Sequence, residues 1–142
     1  MKQAIFLDAS SIVAALGSET GGSHRIAQYC HDRKLVGFVN HKVLYETYRR
    51  STKVNSSPEK AAGLITWSGL VILPDPTPDQ TQPFSPIIPD PDDLHLFGSA
   101  SQVPGCILIS LDKKHVLKFK NVIHHPQIMS PAEFLHTLLT RL

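Results

Sequence analysis

The sequence predicts an α/β domain of three layers, α/β/α, built around a mainly parallel central sheet. Two observations carry that prediction. Short apolar runs of strand length alternate along the chain with stretches of helical period. The first run, Ala4 to Leu7, is continuously apolar rather than alternating, which marks a strand buried on both faces. Strands separated by helices imply right-handed crossovers, which set the strands parallel and cover both faces of the sheet.

The elements follow in order. After the strand at Ala4–Leu7, Ile12, Val13 and Leu16 form a helical stripe within Ala9 to Leu16 that stops at Gly17. A second helix is predicted over Ser23 to Lys34 and a second strand over Leu35 to Val39. Asn40 is a good N-cap for a helix from His41 to about Lys53, because its side chain accepts from free backbone N–H groups. Ser57-Pro58 opens another helix, with proline where its missing N–H does no harm. Leu70 to Leu73 is a third strand, Asp92 to Val103 a helix, and Cys106 to Ser110 a fourth strand. Ser130-Pro131-Ala132-Glu133 is a capping box that opens the last helix. Between them, Pro74 to Pro91 holds seven of the eleven prolines and is expected to be neither helix nor strand, a functional or mobile loop.

Composition bounds the rest. The 142 residues suit one domain, residues 1–142, and 14 Lys+Arg against 12 Asp+Glu leave a net charge of +2 that neither demands nor excludes a nucleic-acid partner. Two distant cysteines, Cys30 and Cys106, make neither a disulfide scaffold nor a zinc motif, which suits a reducing, cytoplasmic location. Asp8 cuts the first apolar run too short for a signal peptide, and the uncharged segment from Ala61 to Leu73 is too short to span a membrane.

In a parallel sheet the chemistry gathers beyond the carboxyl ends of the strands. Asp8 ends the first strand, and Asp112 lies two residues past the end of the fourth. Asp92 and Asp93 open the helix before that strand, and Glu46 lies on a turn of helix that can face the same edge. Four converging carboxylates would repel one another, which raises their pKa values. Mg²⁺ or Mn²⁺ relieves that repulsion and favours phosphate chemistry. Taken singly, each acid has an ordinary role: Asp92 or Asp93 as an N-cap, Asp8 as the cap of the next helix, Glu46 as a solvated side chain. Their joint placement is what points to a site.

These stretches also resemble a known family. Ile5-Phe6-Leu7-Asp8-Ala9-Ser10-Ser11-Ile12-Val13 is similar to the opening strand and first acid of PIN-domain ribonucleases, including the VapC-like toxins of toxin–antitoxin systems. Asn40-His41-Lys42-Val43-Leu44-Tyr45-Glu46 resembles the helix with the second acid, and Asp90-Pro91-Asp92-Asp93-Leu94 the third-acid segment. Ile107-Leu108-Ile109-Ser110-Leu111-Asp112-Lys113 resembles the strand that carries the fourth, and Ile128 to Leu135 the closing strand and helix.

The resemblance implies a PIN-like fold and a metal-dependent endoribonuclease. Asp8, Glu46, Asp93 and Asp112 would be the catalytic, metal-binding quartet, with Asp90 or Asp92 as substitutes for Asp93, and Mg²⁺ or Mn²⁺ as cofactor. Ser10 and Ser110 fall at the polar positions that support the acids. It further implies an RNA substrate, a possible antitoxin partner and a possible homodimer. Two departures stand out: Ala9 replaces a usual threonine, and Leu111 a usual glycine or asparagine. They support an alternative, a catalytically degenerate module that binds RNA or a protein partner.

Other chemistries fare worse. Ser10 and Ser11 lack a nucleophile elbow, and Ser10 stands where a haloacid-dehalogenase-type site needs a second aspartate. The eight histidines include no zinc-binding motif. A phosphate-handling enzyme acting on a small molecule remains open, since one sheet architecture hosts many chemistries. Two basic clusters flank the acids: Lys42, Arg49, Arg50 and Lys53 around Glu46, and Lys113, Lys114, Lys118 and Lys120 after Asp112. Arg49, Arg50, Lys113 and Lys114 are the candidate phosphate contacts, and Tyr45 and Tyr48 are candidates for stacking on an unpaired base.

Overall fold

The computed structural model describes residues 2–140. Five parallel strands form one sheet in the order β3-β2-β1-β4-β5. Strand β1, Gln3–Leu7, is central, and Ile5, Phe6 and Leu7 are buried, as a run apolar on both faces requires. It pairs with β2, Leu35–Asn40, on one side and β4, Ile107–Ile109, on the other. The outer strands are β3, Val71–Leu73, and β5, Gln127–Met129.

Helix α1, Ala9–Gly17, leaves β1 directly, and α2, Gly22–His31, packs beside it. Asn40 caps α3, His41–Arg50, by accepting from the Val43 amide at 2.8 Å. Ser57 caps α4, Pro58–Ser68, which ends on Gly69 in the left-handed conformation that glycine adopts without strain. These four helices pack against one another, and the last helix, α7 (Pro131–Thr140), packs on α2. Its capping box forms in full: Ser130 Oγ accepts from the Glu133 amide at 3.1 Å, and Glu133 accepts from the Ser130 amide at 3.2 Å.

The proline-rich stretch corrects the expectation of a structureless loop. Pro78–Thr81 forms a one-turn helix, α5, inside a capping box of Thr77 and Gln80, and Gln82–Phe84 is a 3₁₀ turn. Proline interrupts a helix interior but suits its first turn, where Pro78 and Pro83 sit in these two elements. Phe84 and Ile88 anchor the stretch in the core. Helix α6, Leu94–Ser101, lies against it so closely that a Cβ on Gly98 would come within 2.8 Å of Thr81 Cγ2 and 3.1 Å of Pro76 Cβ.

Several helices are shorter than the sequence suggests. The second ends at His31, where Arg33 takes a left-handed backbone (φ 61°). The third gives way to a 3₁₀ turn at Ser51–Val54, and Pro91–Asp93 is a 3₁₀ turn ahead of α6. Cys30 and Cys106 are free, packed thiols, pushed up to about 12 by burial. Among the described residues no helix is long and apolar enough to cross a membrane.

Candidate active site

The chain builds the sheet outward from β1 in one direction through β2 and β3, then returns to add β4 and β5 on the other side. Such a reversal opens a crevice at the carboxyl ends of the two strands that flank it. Those strands are β1 and β4, and the residues that leave them are Asp8 and Ser110-Leu111-Asp112.

Asp8 is buried, 4% exposed, yet well held. Its Oδ1 accepts from Ser10 Oγ at 2.6 Å and from the Ser11 amide at 3.0 Å, which caps α1. Its Oδ2 accepts from the Ser110 hydroxyl. Both serines are held in turn: Ser10 Oγ accepts from the Leu111 amide and Ser110 Oγ from the Asp112 amide, each at 3.0 Å. Asp8, Ser10, Ser110 and the backbone of Asp112 thus form one hydrogen-bonded unit across two strands. Burial pushes the Asp8 carboxyl above the usual carboxylate range, and the hydrogen bonds from Ser10, Ser110 and Ser11 pull it back.

Asp112 caps its own turn, accepting from the Lys114 amide at 3.1 Å and the His115 amide at 2.9 Å, while His115 Nδ1 lies 3.2 Å from its Oδ2. At the third-acid segment, Asp90 does the capping, accepting from the Asp92 amide at 3.0 Å. Neither Asp92 nor Asp93 caps α6 with its side chain; Asp93 accepts no hydrogen bond among the described residues. Burial, then the charge of Asp90, pushes Asp93 up to about 6; Asp112 and Glu46 add to the shift, and His115 opposes it. Asp93, Asp112 and Glu46 therefore share one electrostatic neighbourhood.

Glu46 is half-exposed on α3 and paired with Arg50 at 3.3 Å, one helical turn on. Arg49 lies 5.5 Å over the ring of Tyr45, which is 67% exposed, whereas Tyr48 packs against the core. Lys113 and Lys114 are exposed.

Among the described residues, no group of three His, Cys, Asp or Glu side chains stands ready-formed around one point. The donors are nevertheless all hard oxygens, the class that Mg²⁺ and Mn²⁺ select. Asp8 Oδ2 accepts only from Ser110 and keeps a lone pair, and Asp93 is unbonded and crowded by like charge. A cation that retains several waters and takes few carboxylates fits this arrangement.

Reading the sequence alone missed a buried polar unit behind these acids. The Asn40 amide donates to Ser99 Oγ at 2.9 Å and to His95 Nδ1 at 3.0 Å. Burial, with Lys42 nearby, lowers the His95 pKa to about 4, so the ring is neutral. His95 sits in a stretch whose only local signal is helical, and nothing in the sequence pairs it with Asn40.

The five-stranded parallel sheet and its flanking helices make a PIN-like α/β/α fold. It is shared with two solved structures: PAE2754 from Pyrobaculum aerophilum, at a TM-score of 0.67 and 15% identity over 99% of this chain and 98% of that one, and VapBC2 from Rickettsia felis, solved with a DNA fragment from their promoter, at 0.58 and 15% over 90% and 97%. No family model matches the sequence. No curated protein matches it either.

Proposed function

We propose that the chain is a metal-dependent endoribonuclease that hydrolyses RNA phosphodiester bonds. The observation that carries this reading is the hydrogen-bonded unit of Asp8, Ser10, Ser110 and Asp112 at the switch between β1 and β4, with Asp93 crowded beside it. An isolated helix cap needs one acceptor; two serines clamping both carboxylate oxygens fix an acid in place for work. Asp8, Glu46, Asp93 and Asp112 would hold one or two Mg²⁺ or Mn²⁺ ions, which when bound lower the pKa of the attacking water and neutralise charge at the leaving oxygen. Ser10 and Ser110 orient Asp8, and Ser110 ties that acid to the Asp112 turn. Arg49, Lys113 and Lys114 lie exposed for the phosphate backbone, and Arg50 joins them once it leaves Glu46.

The VapBC2 likeness supports a further part of the reading, that the chain is the toxin of a toxin–antitoxin pair whose partner covers the acidic cleft. Two observations favour a second reading, a degenerate module that binds RNA without cutting it. Arg50 occupies Glu46, and Leu111, 45% exposed, stands at the rim of the cleft.

The test is cleavage of a mixed single-stranded RNA pool in Mn²⁺, run beside EDTA and an Asp8→Asn variant. Metal-dependent cutting that the variant loses supports the nuclease. Stabilisation by Mn²⁺ without cutting supports the degenerate module, and cutting that the variant retains removes Asp8 from the site.

A further inference from the structure

An open groove of about 620 Å³ runs beside Asp93, a size within the range of ligand pockets, about 300–1,000 Å³. One wall is the end of the proline-rich stretch, with Pro89, Pro91 and Asp93; the other is the turn after Asp112, with Lys114, Lys118 and Phe119. The basic cluster seen in the sequence divides here. Lys120 is taken by Glu133 at 2.9 Å, and Lys113 does not line the groove. Lys114 and Lys118 are exposed and, among the described residues, pair with no carboxylate, although two acids share their groove. The Lys118 ammonium lies 5.3 Å from the centre of the largely buried Phe119 ring, and Pro89 and Pro91 are exposed in the same groove, so a cation and an apolar wall meet at one spot. An acidic peptide would satisfy the lysines but leave that wall unused. A nucleotide offers an anion to the first and a flat apolar face to the second.

We propose that this groove seats the nucleotide next to the scissile phosphate, with Lys114 and Lys118 on its phosphate and Pro89, Pro91 and Phe119 flanking its base. The assignment rests on the ribonuclease reading above and adds Lys118 and a seat for the base to it.

The experiment measures binding of a labelled single-stranded RNA octamer in EDTA, where no cutting occurs, for the whole chain and its variants. The Lys114→Ala/Lys118→Ala double variant weakens binding at least tenfold and flattens the logarithmic salt slope by about 0.7, the release expected for one phosphate on a single strand. The double arginine variant keeps binding, and Lys60→Ala on α4 changes nothing. AMP competes for the groove at least tenfold better than inorganic phosphate. Equal competition by the two removes the base seat. If the double alanine variant binds and cuts RNA as the parent does, the groove assignment falls and the nuclease stands; if it loses only a poly-glutamate peptide, the groove is a peptide site. If the parent neither binds nor cuts RNA, the ribonuclease reading falls and takes the groove with it.

Discussion

The side-chain amide of Asn40 donates to Nδ1 of His95 across 3.0 Å of closed interior. One residue at the end of β2 thereby ties α3, which carries Glu46, to α6, whose first turn follows Asp93. Its Oδ1 caps α3, and its amide reaches Ser99 as well as His95. The two acids lie 47 positions apart in sequence and are set relative to one another by this buried amide.

Replacing Asn40 with alanine removes the cap and strands two buried partners, a loss of about 3 kcal/mol in urea unfolding. Asn40→Asp retains the cap but faces His95 with a carboxylate. The His95 pKa, held at about 4 in the parent, then rises, which histidine NMR titration measures. An unmoved His95 in that variant would refute the contact.

Ser110→Ala takes the donor from Asp8 Oδ2 and the acceptor from the Asp112 amide together. A hydrogen bond to a charged group is worth about 1.5–3 kcal/mol, so RNA cleavage falls about tenfold to a hundredfold with the fold intact. The lost donor also lets the Asp8 pKa climb, which moves the acid limb of the pH–rate profile upward. Ser110→Thr keeps the hydroxyl and restores both.

Asp93 and His95 give opposite pH signatures. The folded-state pKa of Asp93 is raised to about 6, so its contribution to stability is greatest below the unfolded value and is lost as pH rises through 6. His95 is lowered to about 4, so its contribution is intact above about pH 6.5 and is lost as pH falls toward 4. In EDTA, Asp93→Asn therefore melts with the parent near pH 4 and about 3 °C above it at pH 7.5. Equal melting at both pH values would show that Asp93 is not crowded. The same variant loses cleavage, since the strained charge is the functional one.

Arg50→Met frees Glu46 from its ion pair. The pair is a third or more exposed on both sides and worth no more than about 1 kcal/mol, so Mn²⁺ binding followed by thermal shift tightens by up to about fivefold. A larger gain would mean that Arg50 blocks the metal directly. A loss would assign Arg50 to the site in its own right.

Local chemistry made much of this legible. Asn40, Ser57 and Ser130 cap helices where their side chains say they should, and the apolar run at Ile5–Leu7 is the sheet's centre. The acids at the strand ends were visible for the same reason. What stayed hidden was long-range. Pro74 to Pro91 reads as a break, because proline's effect depends on which turn of a helix it occupies. Asp90, not Asp92 or Asp93, takes the capping role, a choice set by a single turn that three neighbouring aspartates could each make. The Glu46–Arg50 pair and the Asn40–His95 contact depend on rotamers and packing that residue spacing does not encode.

The bond from Ser110 to Asp8 spans 102 positions of chain. A contact of such high order forms only after the loop between β1 and β4 has closed, and closure of that kind belongs to the slow, late part of folding. A chain emerging from its own synthesis carries Asp8 well before β4, and without β4 that acid lacks its Ser110 clamp and its neighbour from the Asp112 turn. Whatever the acids do, no fragment that stops short of β4 does it; the strand order acts as a timer that arms the site only once β4 has joined the sheet beside β1.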